Sequence, residues 1–206
     1  MNTDLEIKTI LENLTAMLIA RGEENVEEQI QKQLHDNTVD YKNLIELKVG
    51  SITVFFCLVK SVEKDLMYKV KDLDAEALEK QWDSTRYIMI IRITDKPVLT
   101  TISTVEEKDK QLFQHSKGYF QLFRTEELMY NPAAHVYVPH HEKIDDRAIQ
   151  KMLETYQLKN RYQLPNILKT DVMAKYLGLC QGDVVRITRY NDTSGIYHYY
   201  RCCIKV

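Results

Sequence analysis

The chain has 206 residues, of which 44% are hydrophobic and 28% are charged, and its formal net charge at pH 7 is −2. These proportions are typical of globular proteins, and the length suits one large domain or two small ones. The near-neutral charge argues against a free-standing nucleic-acid binder, because such proteins present a strongly basic face to phosphates.

The first predicted element is an amphipathic helix over residues 3–21, which Gly22 ends. Its apolar residues recur at helical spacing, namely Ile7, Ile10, Leu11, Leu14, Met17 and Leu18. A second, weaker helical pattern follows in ENVEEQIQKQLHD. The opening residues lack a signal-peptide pattern, and no run of eighteen apolar residues occurs. We therefore expect a soluble, intracellular chain with no membrane partner.

Two strands covered on both faces are predicted at residues 51–59 and 86–93. The segments SITVFFCLV and RYIMIIRI are rich in β-branched and aromatic residues but do not alternate cleanly with polar ones. Between them, DLDAEALEKQW has a helical pattern. The order strand, helix, strand indicates a mixed α/β unit.

A capping box formed by Ser103 and Glu106 is predicted to open another helix toward Phe113. The segment YFQLF then supplies a short strand near residue 120. These elements complete an α/β domain over residues 1–130, and MYNPAA marks its boundary with the next domain.

The second domain, residues 131–206, is predicted to be α+β. Its first strand is AHVYVP, broken by Pro139, and Asp145 caps a helix in DRAIQKMLETYQL. LPNIL is an extended crossing, and Asp171 caps the short helix VMAKYLG. The domain ends in a β-hairpin whose strands, VVRITRY and IYHYYRCCIKV, are joined by NDTSG, where Gly195 suits a positive φ.

The last strand presents aromatic and charged residues on both faces. Alternation places Tyr197, Tyr199, Arg201 and Cys203 on one face, and Ile196, His198, Tyr200, Cys202 and Ile204 on the other. Tyrosine and arginine are enriched among interface anchors. We expect the hairpin arginines to be satisfied partly by carboxylates of the chain and partly by a partner. The alternative is a surface ion pair of Arg186 or Arg201 with an aspartate of the hairpin, Asp183 or Asp192.

Four segments of the second domain carry a resemblance to a known family: HVYVPHH, LPNILKTDVMAKYLGL, GDVVRITRYNDTSG and YYR, in this order over residues 134–204. Together they resemble the assembly domain of the fifth subunit of eukaryotic nuclear RNA polymerases, which has a shorter equivalent in the archaeal polymerase. The chain departs from the family pattern at Tyr137, Val172, Cys180, Gln181 and Asn191. None of these changes removes a capping or pairing requirement.

The resemblance implies a non-catalytic structural subunit of a multisubunit DNA-dependent RNA polymerase. Its C-terminal domain would dock on the largest subunit, beside other core subunits, and its jaw-like N-terminal domain would lie near downstream DNA. Neither a cofactor nor a metal nor a homo-oligomer is implied. The expected partner-binding residues are His135, Pro139, His140, Arg186, Arg189, Thr193, Ser194, Gly195, Tyr199 and Arg201.

The charge distribution limits the DNA contact that this role allows. From residue 131 onward there are 11 Lys and Arg against 7 Asp and Glu, so residues 1–130 carry the acidic balance. An acidic N-terminal domain favours protein contacts over tight duplex binding. We therefore expect at most a weak contact with DNA.

The source and location of the chain follow from the same resemblance. The archaeal form has only the assembly domain, so an additional N-terminal domain argues against an archaeal origin. The divergence suits a copy from a large cytoplasmic DNA virus. Such a copy would act in the host cytoplasm and be carried in the virion, whereas a cellular eukaryotic copy would be nuclear.

Two other function classes stay open at this level. One is an independent transcription factor or interaction module that uses the same assembly domain. The other, more remote, is a restriction-type nuclease, because Glu46 and Lys48 form an E-x-K element just before a predicted strand. Asp40 lies too close in sequence to supply the second acidic ligand from a separate strand.

Histidines and cysteines are the remaining candidates for metal ligands. His135, His140 and His141 lack a fourth ligand at tetrahedral spacing, so structural hydrogen bonding is the preferred interpretation. The cysteines include no C-x-x-C pair and are expected to be buried free thiols: Cys57, Cys180, Cys202 and Cys203.

Overall fold

The computed structural model describes residues 3–36, 45–58, 86–92, 103, 106–107, 110, 118–193 and 195–205. The chain forms two compact units, Met1–Tyr130 and Asn131–Val206, whose boundary falls within MYNPAA. The helix predicted in DLDAEALEKQW and most of the one predicted toward Phe113 lie outside the described residues. No described helix has the length and apolar content needed to cross a bilayer.

The first unit begins with two helices, α1 (Thr3–Ala20) and α2 (Val26–Asp36), as the apolar spacing predicts. Their apolar stripes are buried, with Ile10, Leu14, Met17 and Leu18 on α1 and Val26 and Ile30 on α2. Two acidic residues, Glu27 and Glu28, lie in the first turn of α2, where the helix dipole favours negative charge.

A four-stranded sheet follows, in the order β1 (Ile45–Val49), β2 (Ile52–Cys57), β3 (Arg86–Ile91) and β4 (Tyr119–Arg124). β1 pairs antiparallel with β2, whereas β2, β3 and β4 pair in parallel. Residues 88–91 are buried without alternation, so β3 is covered on both faces as predicted.

Strand β1 corrects the expectation that Glu46 and Lys48 merely precede a strand. Both lie within β1 and point to one side, while Leu47 and Val49 are buried on the other. The Lys48 ammonium and the Glu46 carboxylate are 3.2 Å apart in a surface ion pair. Asp40 lies outside the described residues.

The free edge of β1 is covered by side chains from α2. The Lys48 amide donates to Oε1 of Gln33 at 2.9 Å, and Nε2 of Gln33 donates to the Lys48 carbonyl at 2.7 Å. The Gly50 amide donates to Oε1 of Gln29 at 3.0 Å. One carboxamide thus takes the place of a neighbouring strand at Lys48, which removes a site for edge pairing.

The second unit contains β5 (His140–Ile144), α3 (Asp146–Thr155), β6 (Asn166–Leu168), α4 (Val172–Tyr176), β7 (Val184–Asn191) and β8 (Gly195–Ile204). Both predicted caps are present. The Asp145 carboxylate accepts from the Ala148 amide at 2.6 Å, and that of Asp171 accepts from the Met173 amide at 2.9 Å.

The sheet of the second unit has the strand order β5, β7, β8, β6. β7 is antiparallel to both β5 and β8, and β6 is parallel to β8. Helix α3 packs Ile149 and Met152 against one face of this sheet, where they meet Ile144, Val184 and Cys202. The fold class is therefore mixed α and β, with a small α+β unit that ends in a hairpin, as predicted.

The expected strand in AHVYVP is wrong. Pro132–Ala134 form a short 3-10 turn that Asn131 caps through its side chain, and the Val138 amide donates to the His135 carbonyl in a further turn. Proline at the first position of the turn fixes a helical φ, and the Asn131 carboxamide supplies the cap. Pairing therefore begins after Pro139, at His140.

Candidate interaction surface

The hairpin of β7 and β8 extends beyond both strands that flank it. β5 pairs with residues 184–188 of β7, and β6 pairs with residues 202–204 of β8. Residues 189–191 of β7 therefore pair with β8 alone, and residues 195–201 of β8 pair with β7 alone, among the described strands; these two segments are here called the ribbon. A two-stranded extension is marginal in water by itself, so its two faces and its edge are of interest.

One face of the ribbon, here called the arginine face, is formed by Arg189, Tyr197, Tyr199 and Arg201. Its two guanidinium groups lie over one aromatic ring. The Arg189 guanidinium lies 5.5 Å and that of Arg201 lies 5.4 Å from the centre of the Tyr199 ring. Arg201 Nη1 also donates to the Asn166 carbonyl at 2.9 Å. The face was predicted from alternation, but the shared ring was not.

Neither of these two guanidinium groups forms an ion pair with a carboxylate among the described residues. Arg189 is exposed, and Tyr199 and Arg201 are half-buried. Stacking on the ring fixes the guanidinium planes while leaving their N–H groups available. The arginine face can therefore receive carboxylate groups from another molecule.

The opposite face of the ribbon, the helix face, runs from the core to exposed apolar residues. Tyr200 packs against the buried cluster around Cys202, and its ring lies 5.9 Å from that of Tyr156. Farther out, the paired residues Tyr190 and Ile196 are 72% and 69% exposed. A large apolar pair left in water at a hairpin end suits burial by a partner.

Arg186 forms an ion pair within the chain, with a residue that the sequence does not single out. Its Nη2 lies 2.6 Å from Oε2 of Glu142, directly across from it on β5. This hydrogen bond raises the pKa of the Arg186 guanidinium. Arg186 therefore anchors β5 to β7 and is less suited to a partner than Arg189 or Arg201.

The hairpin aspartates do not neutralise the arginines. Oδ2 of Asp183 lies 2.6 Å from Nζ of Lys143 and accepts from the Cys180 amide at 2.7 Å. Its carboxylate thus holds the start of the hairpin to β5 and to the preceding loop. The alternative pairing of Arg186 or Arg201 with Asp183 is wrong.

The histidines lie near the turn that precedes β5. His135 is exposed, and its Nδ1 accepts from the Tyr137 amide at 3.3 Å. His140 is exposed on β5, while Nδ1 of His141 donates to the Pro139 carbonyl at 2.6 Å. Burial lowers the pKa of His141, which the Pro139 hydrogen bond partly offsets. The carbonyl of Pro139, a residue predicted to contact a partner, thus orients the His141 ring.

The turn of the hairpin contains the remaining predicted residues. The exposed Thr193 donates its amide to Oδ1 of Asn191 at 3.0 Å. Gly195 has a φ of +70°, and a Cβ placed there would meet no atom within 4 Å. Backbone conformation alone therefore favours glycine at this position. Ser194 lies outside the described residues.

The cysteines of the second unit are buried free thiols, as predicted: Cys180, Cys202 and Cys203. Burial raises the pKa of the Cys202 thiol and raises that of Cys203 to about 12. Both thiols are therefore protonated and unreactive at neutral pH. In the part of the chain that is described, no three His, Cys, Asp or Glu residues cluster in a way that could hold a metal ion.

The second unit is similar to known proteins of transcription. The family described as RNA polymerase Rpb5, C-terminal domain, matches residues 130–203. The DNA-directed RNA polymerase subunit 5-like protein 1 of Arabidopsis thaliana is 40% identical over 84 residues, which cover 41% of this chain and 40% of the plant protein.

Two further relatives differ in how much of their length is matched. The DNA-directed RNA polymerases I, II, and III subunit rpabc1 of Dictyostelium discoideum is 36% identical over 91 residues, 44% of this chain and 46% of that protein. The DNA-directed RNA polymerase subunit Rpo5 of Pyrococcus horikoshii is 36% identical over 76 residues, 37% of this chain but 92% of the archaeal protein. The match spans less than half of each of the two eukaryotic relatives.

Proposed function

Because the chain belongs to the Rpb5 family of fifth subunits of DNA-directed RNA polymerases, we propose that it is a structural, non-catalytic polymerase subunit. In this proposal the second unit docks on the largest subunit, next to other core subunits. The first unit lies near downstream DNA and makes at most a weak contact with it. Nucleotide addition takes place elsewhere in the assembly.

The docking proposal rests on two features of the ribbon: guanidinium groups that lack a carboxylate partner among the described residues, and apolar side chains that are exposed. Arg189 and Arg201 share the ring of Tyr199 without a described carboxylate partner, and Tyr190 and Ile196 are exposed nearby on the hairpin. Aromatic and arginine side chains in this arrangement are typical of interface anchors. A partner chain would bury the apolar pair and supply the missing carboxylates.

Affinity purification of the full-length tagged chain tests the assignment. A structural subunit should retain the two largest polymerase subunits in stoichiometric amounts after a high-salt wash. An independent transcription factor would be recovered at low salt and lost at high salt. Recovery without those subunits at any salt concentration would contradict the proposal.

A pair of variants tests whether the arginine face is the docking surface. Arg201→Glu combined with Tyr199→Ala should leave the isolated chain folded and reduce its incorporation into the polymerase. The matched control, Lys159→Glu with Tyr162→Ala, makes the same kind of change at exposed positions of the same unit. Equal incorporation of the two double variants would place the docking surface elsewhere.

We further propose that the chain comes from a large cytoplasmic DNA virus and acts in the host cytoplasm and the virion. Sequence identities of 36–40% to cellular relatives, together with the N-terminal unit, support a divergent copy of the eukaryotic type. Mass spectrometry of purified virus particles should detect the chain with the other polymerase subunits. A nuclear location in uninfected cells would instead indicate a cellular copy.

A further inference from the structure

β8 is an inner strand of its sheet, but most of its edge on the β6 side has no neighbouring strand among the described residues. β6 covers residues 202–204, where the Cys202 amide donates to the Pro165 carbonyl at 2.9 Å and the Ile204 carbonyl accepts from the Lys169 amide at 3.1 Å. These bonds show which backbone groups of β8 point away from β7. Over residues 195–201 no such partner is present within the described chain.

The alternation of hydrogen bonds along the ladder identifies which N–H and C=O groups of β8 point to the open edge. Residues of an antiparallel strand point their N–H and C=O groups toward one neighbour and then the other in turn. The Cys203 amide donates to the Asp183 carbonyl, toward β7, whereas Cys202 bonds away from it. The same parity directs the amides and carbonyls of Tyr200, His198 and Ile196 to the free edge. Those six groups can receive a further strand.

We infer that this edge binds an extended segment of another polymerase subunit, which adds to the sheet as a fifth strand beside Ile196–Tyr200 and carries a carboxylate toward the arginine face. Strand addition of this kind uses backbone hydrogen bonds for affinity and alternate side chains for specificity. The inference rests on the proposed function and specifies how docking occurs.

The side chains beside the edge define the chemistry of that segment. On the arginine face an added residue would lie next to Tyr199 and Arg201, so an aspartate or glutamate there completes the guanidinium contacts. On the helix face the neighbouring side chains are Ile196 and His198, which are exposed, and Tyr200, which packs on the core. An apolar residue suits that side. The expected pattern is thus acidic and apolar residues in alternation.

Hydrogen exchange resolved at single residues tests the inference on the full chain, alone and in the purified polymerase. In the free chain the amides of Ile196, His198 and Tyr200 should exchange fast, while those of Tyr197 and Tyr199, which face β7, are slow. In the assembly the three edge amides should slow by about tenfold or more, as expected when each gains a ladder hydrogen bond. The amides that face β7 serve as the internal control.

The other possible results of this experiment lead to different conclusions. Incorporation into the polymerase with the three edge amides still fast would overturn strand addition but leave the proposed function intact. Protection that depends on the concentration of the free chain would assign the edge to a second copy, and protection that requires nucleic acid would assign it to that ligand. Failure to recover any polymerase subunit would overturn both proposals.

Two sets of variants separate the backbone contribution from the charge contribution. His198→Pro removes one amide that faces the free edge, whereas His198→Ala removes the same side chain and keeps that amide. Incorporation should fall by about tenfold for the proline variant alone. Arg189→Gln with Arg201→Gln should make incorporation less sensitive to salt, because the carboxylate contacts are lost. Equal behaviour of the two His198 variants would contradict strand addition, and unchanged salt dependence would contradict the carboxylate.

Discussion

In the first unit, the carboxamide of Gln33 occupies both hydrogen-bonding groups of β1 at Lys48, whereas in the second unit the edge of β8 from Ile196 to Tyr200 has no described partner. Both strands lie in antiparallel hairpins, so their backbones offer the same chemistry. An open edge invites association with other chains. The protein thus blocks the edge of β1 internally, and on our proposal it keeps the edge of β8 for a partner.

The glycines in the turns of the two hairpins differ in the space around them. Substituting the more crowded one, Gly50, gives the largest expected effect on stability. Gly50 has a φ of +54°, and a Cβ there would lie 1.8 Å from Oε2 of Glu23. The other oxygen of that carboxylate accepts from the Ser51 hydroxyl at 2.7 Å. Gly50→Ala should therefore lower the free energy of unfolding of the first unit by about 2–3 kcal/mol, from backbone strain and the displaced hydrogen bond.

Gly195→Ala is the matched control in the second unit. Its φ is +70° but no atom lies near a Cβ, so only backbone strain of about 1–2 kcal/mol applies. Native-state hydrogen exchange of the full chain measures both losses unit by unit. A loss at Gly195 as large as that at Gly50 would show that the Glu23 contact contributes nothing.

Opening the blocked edge is the second test of the contrast. Gln33→Leu keeps the size of the side chain but leaves the Lys48 amide and carbonyl without their partner. We expect a loss of about 1–2 kcal/mol in the stability of the first unit, together with concentration-dependent self-association through β1. Analytical ultracentrifugation detects the association.

Gln150→Leu is the control for that experiment, because the side chain of Gln150 bonds to Glu154 within α3, on the surface. It should remain monomeric and lose less than about 0.5 kcal/mol. If the Gln33 variant also stayed monomeric, the carboxamide would have no role in blocking the edge.

Much of this architecture can be predicted from the sequence, because it depends on interactions between residues that are close in the chain. The caps at Asp145 and Asp171 and the positive φ at Gly195 require only neighbours in the chain. The apolar periods of α1 and α2 and the dense β-branched content of β2 and β3 act over similarly short distances. Each of these predictions is confirmed.

The missed features depend on contacts between distant segments. In AHVYVP, the β-propensity of Val136 and Tyr137 is outweighed by the capped turn at Asn131, and both side chains are 87% exposed. The pairing of Arg186 with Glu142 follows from the register of β5 on β7, and the two residues are 44 positions apart in the sequence, so the pattern of residues does not reveal it. β1 was not predicted, because the alternation in ELKV that could have indicated it spans only four residues.

The hydrogen bonding at the edges of β1 and β8 could not be predicted from the sequence either. Gln33 reaches Lys48 only because α2 docks beside β1. The open part of β8 is defined by where β6 stops, at Leu168. The arginine face could be predicted, because the alternation of side chains along a strand places Tyr199 and Arg201 on the same side.

The smallest predicted effect concerns the base of β8, where the strand is buried and not open. The pKa of the Cys203 thiol is raised to about 12 from an ordinary value of 9.0, so between these values the folded state binds more protons than the unfolded state. Stability should be constant below about pH 9 and fall above it, by about 1 kcal/mol at pH 10.

Pulse proteolysis in urea at pH 8 and pH 10 measures this change in the second unit. Cys203→Ala should remove most of the extra loss at pH 10, although it lowers stability at both pH values by leaving a small cavity. A pH dependence that is the same with and without the thiol would assign the effect to other groups.

The central claim, that the ribbon is where this subunit meets the polymerase, is tested most directly by photo-crosslinking. A benzophenone amino acid replaces Tyr197, which is 39% exposed on the arginine face, or Tyr162, which is 57% exposed elsewhere in the unit. The account predicts a crosslink from position 197 to the largest polymerase subunit and none from position 162. Incorporation of both variants with no crosslink from position 197 would contradict it.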